Sequence, residues 1–239
     1  MKFIRRKRNL LLHLNMAFVG GGCAIYAIML RGNFGQAQTA NLTDLVIRVI
    51  LGDNWFEVFY RFMAFLLFMT ALAISHAMKW FLKPVRVEMI CFLVEFACIM
   101  ITGLLPAEIP DMMGLWPIFF MTGFQWGVFA GAEGFNCSTI FCSNNCKQAL
   151  FGWMDYFADH KRRSFEQGRF YTATVIFFYC GAVYLGILTH WLGIRSFFFQ
   201  ILPLASAVSL WVLTGSQKTA EKKPFTEGPQ NYRKGVSEL

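Results

Sequence analysis

The chain has 239 residues, of which 56% are hydrophobic and only 15% are charged. Soluble domains carry roughly 25% charged residues, so this composition excludes an ordinary soluble protein. It indicates a polytopic membrane protein that has lipid as its solvent. The net charge of +8 would suggest nucleic acid as a partner of a soluble protein. Here the basic residues flank apolar segments, so we expect the lipid bilayer as the partner and no nucleic acid.

The N-terminal segment 1–8 is basic and directly precedes an apolar run, Asn9 to Leu30. This run is longer than the h-region of a signal peptide, which favours a retained first helix. Two segments between the apolar runs, 33–52 and 135–160, are too polar to be full crossings, and 215–239 is a polar, flexible tail. Six segments approach the ~20 residues that a crossing helix needs, namely 9–30, 56–78, 85–105, 112–132, 170–192 and 196–214.

The distribution of Lys and Arg predicts the orientation. Basic residues concentrate in loops on the cytoplasmic side of a membrane. With the N-terminus inside, six spans place 18 of the 22 basic residues inside and leave Arg31, Arg48, Arg61 and Arg195 outside. We therefore expect both termini in the cytoplasm and the protein in a bacterial cell membrane.

The two polar segments share a motif in which a hydroxyl residue stands two positions before an Asn. Thr39 and Asn41 form the first copy, and Ser143 and Asn145 form the second. Asn is a preferred N-cap, so each motif predicts the start of a short helix, either re-entrant or interfacial. Three crossings in each half, 9–105 and 112–214, would make the second repeat inverted relative to the first. The predicted fold is all-α, with six transmembrane helices in two inverted three-helix repeats, each with a short Asn-capped helix.

At these motifs the sequence resembles the YoaK-like family of bacterial membrane proteins, over about residues 10 to 214. The matching stretches are Gly20–Ala24, Gln36–Leu42, Gly123–Gln125 and Ser143–Asn145. Cys23 stands where the resemblance leads us to expect Asp, and Ala40 and Asn144 stand where it leads us to expect Gly. The resemblance implies a six-span integral membrane protein and gives no established substrate.

The third predicted span carries Glu88, Cys91, Glu95 and Cys98 on one helical face. Glu95 falls near mid-span, where an acid is costly unless it is paired, protonated or hydrated. Two readings stay open. Glu95 either binds a proton or cation, or is a protonated structural residue that is hydrogen-bonded to a neighbouring helix, with His13, His76 or Gln125 as candidate partners.

We therefore expect a small-solute transporter or exporter with a polar site at the repeat interface. The alternative is a non-transporting scaffold or partner subunit, and a homodimer is compatible with either. An enzyme that uses the cluster of Cys137, Cys142 and Cys146 is a weaker alternative, because no Cys-x-x-Cys or nearby His completes a metal set and no catalytic motif is present. We expect no cofactor, no metal and no enzymatic activity. The expected solute site consists of Thr39, Asn41, Glu95, Gln125, Ser143 and Asn145.

Overall fold

The computed structural model describes residues 7–52 and 54–214, and nearly all of them are helical. The helices are α1 (Arg8–Arg31), α2 (Gln38–Leu51), α3 (Trp55–Phe81), α4 (Pro84–Leu104), α5 (Asp111–Gly114), α6 (Trp116–Val128), α7 (Ser143–Asp159), α8 (Arg162–Leu192) and α9 (Ile201–Thr214). A small antiparallel hairpin, β1 (Gly131–Ala132) and β2 (Phe135–Asn136), follows α6, and a 3₁₀ helix (Gly193–Gln200) joins α8 to α9. The predicted all-α class is confirmed. Of the predicted terminal segments 1–8 and 215–239, residues 1–6 and 215–239 lie outside the described residues.

Four helical runs of the described chain are long and apolar enough to cross a membrane: α1, α3, α4 and the run from Arg162 to Thr214. The first three agree with the predicted spans 9–30, 56–78 and 85–105 to within three residues at each end. With these helices, the chain is an integral membrane protein.

The fourth predicted span, 112–132, is not one continuous helix. Its main helix, α6, has 13 residues and is about 20 Å long, shorter than the ~30 Å hydrocarbon core. The segment around Gly131 turns instead of continuing the helix, because Gly131, Glu133 and Gly134 all have positive φ angles. The predicted boundaries were therefore wrong, since apolar composition alone did not reveal this turn.

The long run from Arg162 to Thr214 folds back on itself at Gly193, whose φ angle is +56°. The hydroxyl groups of Thr189 and Ser196 lie 2.9 Å apart across the turn. Further from the turn, the Tyr184 hydroxyl donates to the carbonyl oxygen of Phe199 at 3.0 Å. This antiparallel register separates α8 from the 3₁₀ helix and α9, in the regions of the predicted spans 170–192 and 196–214.

Helix packing is reciprocal between the two halves of the chain. The first helix, α1, packs mainly against α8 and also against α9. In the same way α6, the main helix that opens the second half, packs mainly against α3 and also against α4. Pairs of contacts show that both principal helix pairs are parallel. In the first pair, His13 lies 5.3 Å from Phe170 and Phe18 lies 5.4 Å from Tyr184. In the second pair, the Trp116 indole donates to the Tyr60 carbonyl and Trp126 lies 6.1 Å from Phe68.

Ion pairs and hydrogen bonds join several basic residues at one end of the bundle. Arg8 pairs with Glu88 at the start of α4, and Glu88 also accepts from the Trp211 indole at 2.8 Å. Lys7 pairs with Glu133 of the β-hairpin, whose backbone also accepts from Arg163. We call this end, which gathers the starts of α1, α4 and α8, the basic end.

The opposite end is organised by Arg31, the last residue of α1. Its side chain is buried and donates to the carbonyl oxygens of Ala107 and Ile109, and it pairs with Asp111 at 3.2 Å. This end therefore lies a full length of α1 from the basic end. The predicted orientation, which leaves Arg31 outside the cytoplasm, requires this separation.

The two short helices are not capped by Asn. Helix α2 begins at Gln38 after Ala37, and α7 begins at Ser143 after Cys142, and neither start has a side-chain capping bond. Asn41 and Asn145 lie in the first turns and donate back to the preceding loops instead of accepting from helix N–H groups. The predicted Asn caps were wrong, because a short-range motif does not distinguish an Asn at the cap from one inside the first turn.

Candidate functional site

The chain that follows α1 turns back along that helix instead of leaving the bundle. Gly35 lies against α1, since a Cβ placed on it would be 3.2 Å from Cβ of Ala27. One residue later, Nε2 of Gln36 donates to the carbonyl oxygen of Gly20 at 3.0 Å. Gly20 lies at the middle of α1, so residues 33–37 return from its end to its centre. We call this segment the first tip, and α2 begins directly after it.

The segment before α7 enters the bundle from the basic end. Residues 137–142, the second tip, follow the β-hairpin and reach the same level of α1, because a Cβ on Gly20 would lie 2.2 Å from the Thr139 carbonyl oxygen. Helix α7 then runs antiparallel to α8, and the Trp153 indole donates to the Thr172 hydroxyl at 2.9 Å. The helix ends at Asp159, directly before α8. Both polar segments therefore re-enter the bundle and leave on the side from which they came.

The two tips meet beside Gly20. The amide nitrogen of Gln36 donates to the carbonyl oxygens of both Gly20 and Ile140, each at 3.0 Å. The Gln125 amide donates to the Thr139 hydroxyl and to the carbonyl oxygen of Met16, each at 2.8 Å. Consequently α2 and α7 both start near the centre of the bundle. A helix start carries unsatisfied N–H groups and the positive end of the helix dipole, which favour electronegative ligand atoms.

Three of the predicted site residues, Asn41, Asn145 and Gln125, are buried around these tips. Asn41 donates to the Gly35 carbonyl at 2.7 Å, and Asn145 donates to the carbonyl of Ser138 at 2.7 Å. In each of the three side chains the amide oxygen has no hydrogen-bond partner in the structure. Such an oxygen is costly to bury unless a donor reaches it.

The two predicted hydroxyl residues lie elsewhere. Thr39 and Ser143 are exposed, on the sides of α2 and α7 that the protein does not cover. They share the helix starts with Asn41 and Asn145 but not their burial.

Glu95 is fully buried on α4. One carboxylate oxygen, Oε1, lies 3.6 Å from the Cys91 thiol, and Oε2 has no partner. Helices α4 and α6 are antiparallel, with Phe92 beside Phe129 and Cys98 beside Met121. That register places Glu95 at the level of Gln125, and so at the level of the tips.

None of the expected side-chain partners of Glu95 contacts it. Gln125 binds Met16 and Thr139, as described above. His13 stacks on Phe170, and both of its ring nitrogens are without hydrogen-bond partners. His76 packs edge-on against Trp80.

Sequence reasoning missed two glutamines that help to build this centre. One is Gln36 of the first tip, and the other is Gln200, whose Nε2 donates to the Val19 carbonyl at 3.0 Å. Both side chains are buried, and each leaves its amide oxygen without a partner. The available signal was a Gln inside or beside an apolar segment, since a polar side chain in lipid is expensive.

The cysteines of the second tip and α7 do not form a metal site. Cys137 is buried, Cys142 is partly buried and Cys146 is exposed. Across the described residues, no group of three or more His, Cys, Asp or Glu side chains is arranged to hold a metal ion.

One protein family matches residues 12–211, under the description "Protein of unknown function (DUF1275)". The chain belongs to this family. The YoaK-like proteins are also in the DUF1275 family, so the resemblance seen in the sequence agrees at that level. No curated protein and no solved structure matches the chain.

Proposed function

We propose that this DUF1275 protein transports or exports a small polar solute, and that the solute binds where the two tips meet. The observation that carries the proposal is the bond from Gln36 to Ile140, which brings the starts of α2 and α7 together beside Gly20. Helices interrupted near mid-membrane form the solute sites of many transporters, because their free backbone groups can serve a ligand only in a protected cavity.

We further propose six crossings in two inverted repeats. The support is the reciprocal packing, in which α1 contacts α8 and α9 as α6 contacts α3 and α4. The short helix α6, with its flanking turns, is the fourth pass of the chain. The reversal at Gly193 then divides the run from Arg162 to Thr214 into a fifth and a sixth pass. Each half then contributes one re-entrant segment, and the two enter from opposite ends.

The chemistry around the tips favours a solute with both hydrogen-bond acceptors and donors. The N–H groups at the starts of α2 and α7 suit an acceptor or a negative charge. The unpartnered amide oxygens of Asn41, Asn145 and Gln125 suit donors of the solute or of water that accompanies it. A small carboxylate that also carries an N–H or O–H group satisfies both sets.

An open, largely apolar groove of about 560 Å³ lies between α1 and α8. Tyr179 belongs to its wall and lies near Cys142 and Cys146 at the start of α7. The groove continues past Ile25 and Gly186 to His190, towards the end of the bundle opposite the basic end. It arises because α7 covers only the half of α8 nearer the basic end.

We place the protein in a bacterial cell membrane with the basic end in the cytoplasm. Lys7, Arg8, Lys161 and Arg163 all lie at this end, and basic residues near crossing helices remain on the cytoplasmic side.

The test is a thermal-stability screen of the purified protein against amino acids, small carboxylates, inorganic anions and cations. A ligand that binds only the folded state at about 100 times its Kd adds about 2.7 kcal/mol of stability. We expect one chemical class to raise the melting temperature. Each variant is compared with and without ligand, so a change in its own stability does not obscure the result.

Asn41→Ala and Asn145→Ala should lose the ligand-induced shift. Asn144→Ala is the matched control, since Asn144 is exposed on the same first turn as Asn145 and its variant should keep the shift. A shift that survives both substitutions places the solute elsewhere. If no compound shifts the wild-type protein, a scaffold or partner subunit becomes the better explanation, and co-purification of a stable partner would be sought.

A further inference from the structure

Glu95 is buried among thiol and amide side chains. Cys91 and Cys98 flank it on α4, and Cys23 faces it from α1. The 3₁₀ helix contributes Gln200, which lies beside Cys23. In the described part of the chain, no Lys, Arg or His pairs with Glu95; the nearest ion pair on α4 joins Glu88 to Arg8.

This setting disfavours an ionised carboxylate. A charged side chain near the bilayer centre is expensive when nothing pairs with it. A thiol is a weak donor and compensates little of that cost. These surroundings therefore favour the neutral, protonated form of the Glu95 carboxyl group.

A purely structural role does not fit the same contacts. A protonated glutamic acid that stabilises a bundle donates its proton to an acceptor on a neighbouring helix. In this structure Oε2 has no such partner, and Oε1 contacts only Cys91 of the same helix. Among the described residues, no hydrogen bond between protein groups offsets the burial of Oε2, and a buried polar atom of this kind calls for an explanation other than packing.

Polar and thiol side chains continue along the same face of α4 towards both ends. Glu88 lies at the basic end and binds Arg8 and Trp211. Thr102 lies near the other end, and its buried hydroxyl has no partner. From Glu88 to Thr102 the helix rises about 21 Å, which is most of the hydrocarbon thickness.

We propose that Glu95 is the proton carrier of this protein and that the transport proposed above is coupled to protons. The carboxylate takes one proton from hydronium at one membrane face, which leaves water behind, and becomes neutral. After a conformational change the O–H bond breaks and the proton passes to water at the other face. The coupling of transport to protons rests on the proposed function, whereas proton binding at Glu95 does not.

Infrared spectroscopy of the full chain in lipid tests proton binding without any solute. We expect the carbonyl band of a protonated carboxylic acid at neutral pH, and we expect that band to shift in D₂O because the proton exchanges with solvent. Glu95→Gln should remove the band. Glu108→Gln, which changes an exposed acid just beyond α4, should leave it. Glu95→Asp keeps a carboxyl group and should move the band, so the assignment does not depend on one variant.

Two results would overturn the proposal. Absence of the band in the wild-type protein would mean that Glu95 is ionised at neutral pH. A band that does not shift after prolonged exposure to D₂O would mean that the proton is sealed in and cannot be carried.

Coupling is tested separately in proteoliposomes that contain a pH-sensitive dye. The probe is the compound that stabilises the wild-type protein most in the thermal screen. With it, we expect proton movement by the wild type and by Glu108→Gln, and none by Glu95→Gln. Proton-independent movement of the compound would overturn the coupling. If Glu95 gives an exchangeable band but no compound stabilises the protein, the proposed solute site is contradicted. Proton binding at Glu95 then stands without it.

Discussion

At the scale of single residues, glycine determines how closely the helices approach. A Cβ on Gly21 would lie 1.8 Å from the carbonyl oxygen of Phe178 on α8. A Cβ on Gly123 would lie 2.5 Å from the Phe68 carbonyl oxygen on α3. The two principal helix pairs of the fold thus each contain at least one backbone contact that only glycine permits. Small residues serve this purpose in membranes, where the hydrophobic effect does not drive helices together.

The first prediction concerns Gly21. In Gly21→Ala the new methyl group meets backbone that cannot rotate away, so α1 and α8 must separate. We expect a loss of about 1–3 kcal/mol in the free energy of unfolding, as for other overpacked interiors. Gly186→Ala is the matched control on the same helix pair, because its Cβ meets side-chain atoms and no backbone, namely Ile25 at 3.3 Å and Met29 at 3.8 Å. Reversible unfolding in detergent measures both variants, and equal losses would contradict the argument.

At the scale of elements, each tip depends on contacts far away in the chain. The sequence predicted that segments 33–52 and 135–160 are not crossings, and it identified Asn41 and Asn145 as polar residues with a local role. It did not reveal that Gln36 would bind Ile140, 104 residues further on. Local patterns record periodicity and composition, whereas this bond depends on the packing of both halves around α1. The turn at Gly131 was missed for a related reason. The residues that precede it are as apolar as those of a helix that continues.

The second prediction is that Gln36 fastens the tips together. Gln36→Leu removes the donor for the Gly20 and Ile140 carbonyl oxygens, so we expect a loss of about 1–3 kcal/mol of stability. The control is Gln38→Leu, because the side-chain amide of Gln38 has no hydrogen-bond partner. Thermal unfolding of the two variants in the same lipid decides the matter. A loss in Gln38→Leu as large as that in Gln36→Leu would mean that the bond is unimportant.

At the scale of the whole molecule, the charges and the packing both support the orientation proposed above. The basic end gathers Lys7, Arg8 and Arg163, and α1, α4 and α8 all begin there. Arg31 and Asp111 mark the other end. Along the chain, every second connection between the long helices lies at the basic end. This alternation is expected for six crossings with the two termini on one side.

The third prediction tests this arrangement with reporter proteins in a bacterial host. A phosphatase that is active only outside the cytoplasm should be inactive when fused after Thr214. The same phosphatase should be active when inserted at Glu108, in the exposed loop that follows α4. A cytoplasm-active reporter should give the opposite pattern at both positions. Activity of the phosphatase after Thr214 would rule out an even number of crossings with the N-terminus inside.

The bond between Gln36 and Ile140 also constrains how the protein is made. The acceptor is synthesised 104 residues after the donor, so the first tip can bind Gly20 early but cannot contact the second tip while the ribosome is still producing the first half. Until then the side of the first tip that meets the second tip must stay in contact with water or with the insertion machinery. Newly made chains should therefore expose residues 33–51 to proteases until the second half enters the membrane. Assembly of the first re-entrant segment is thus completed only after the second tip, residues 137–142, has been made.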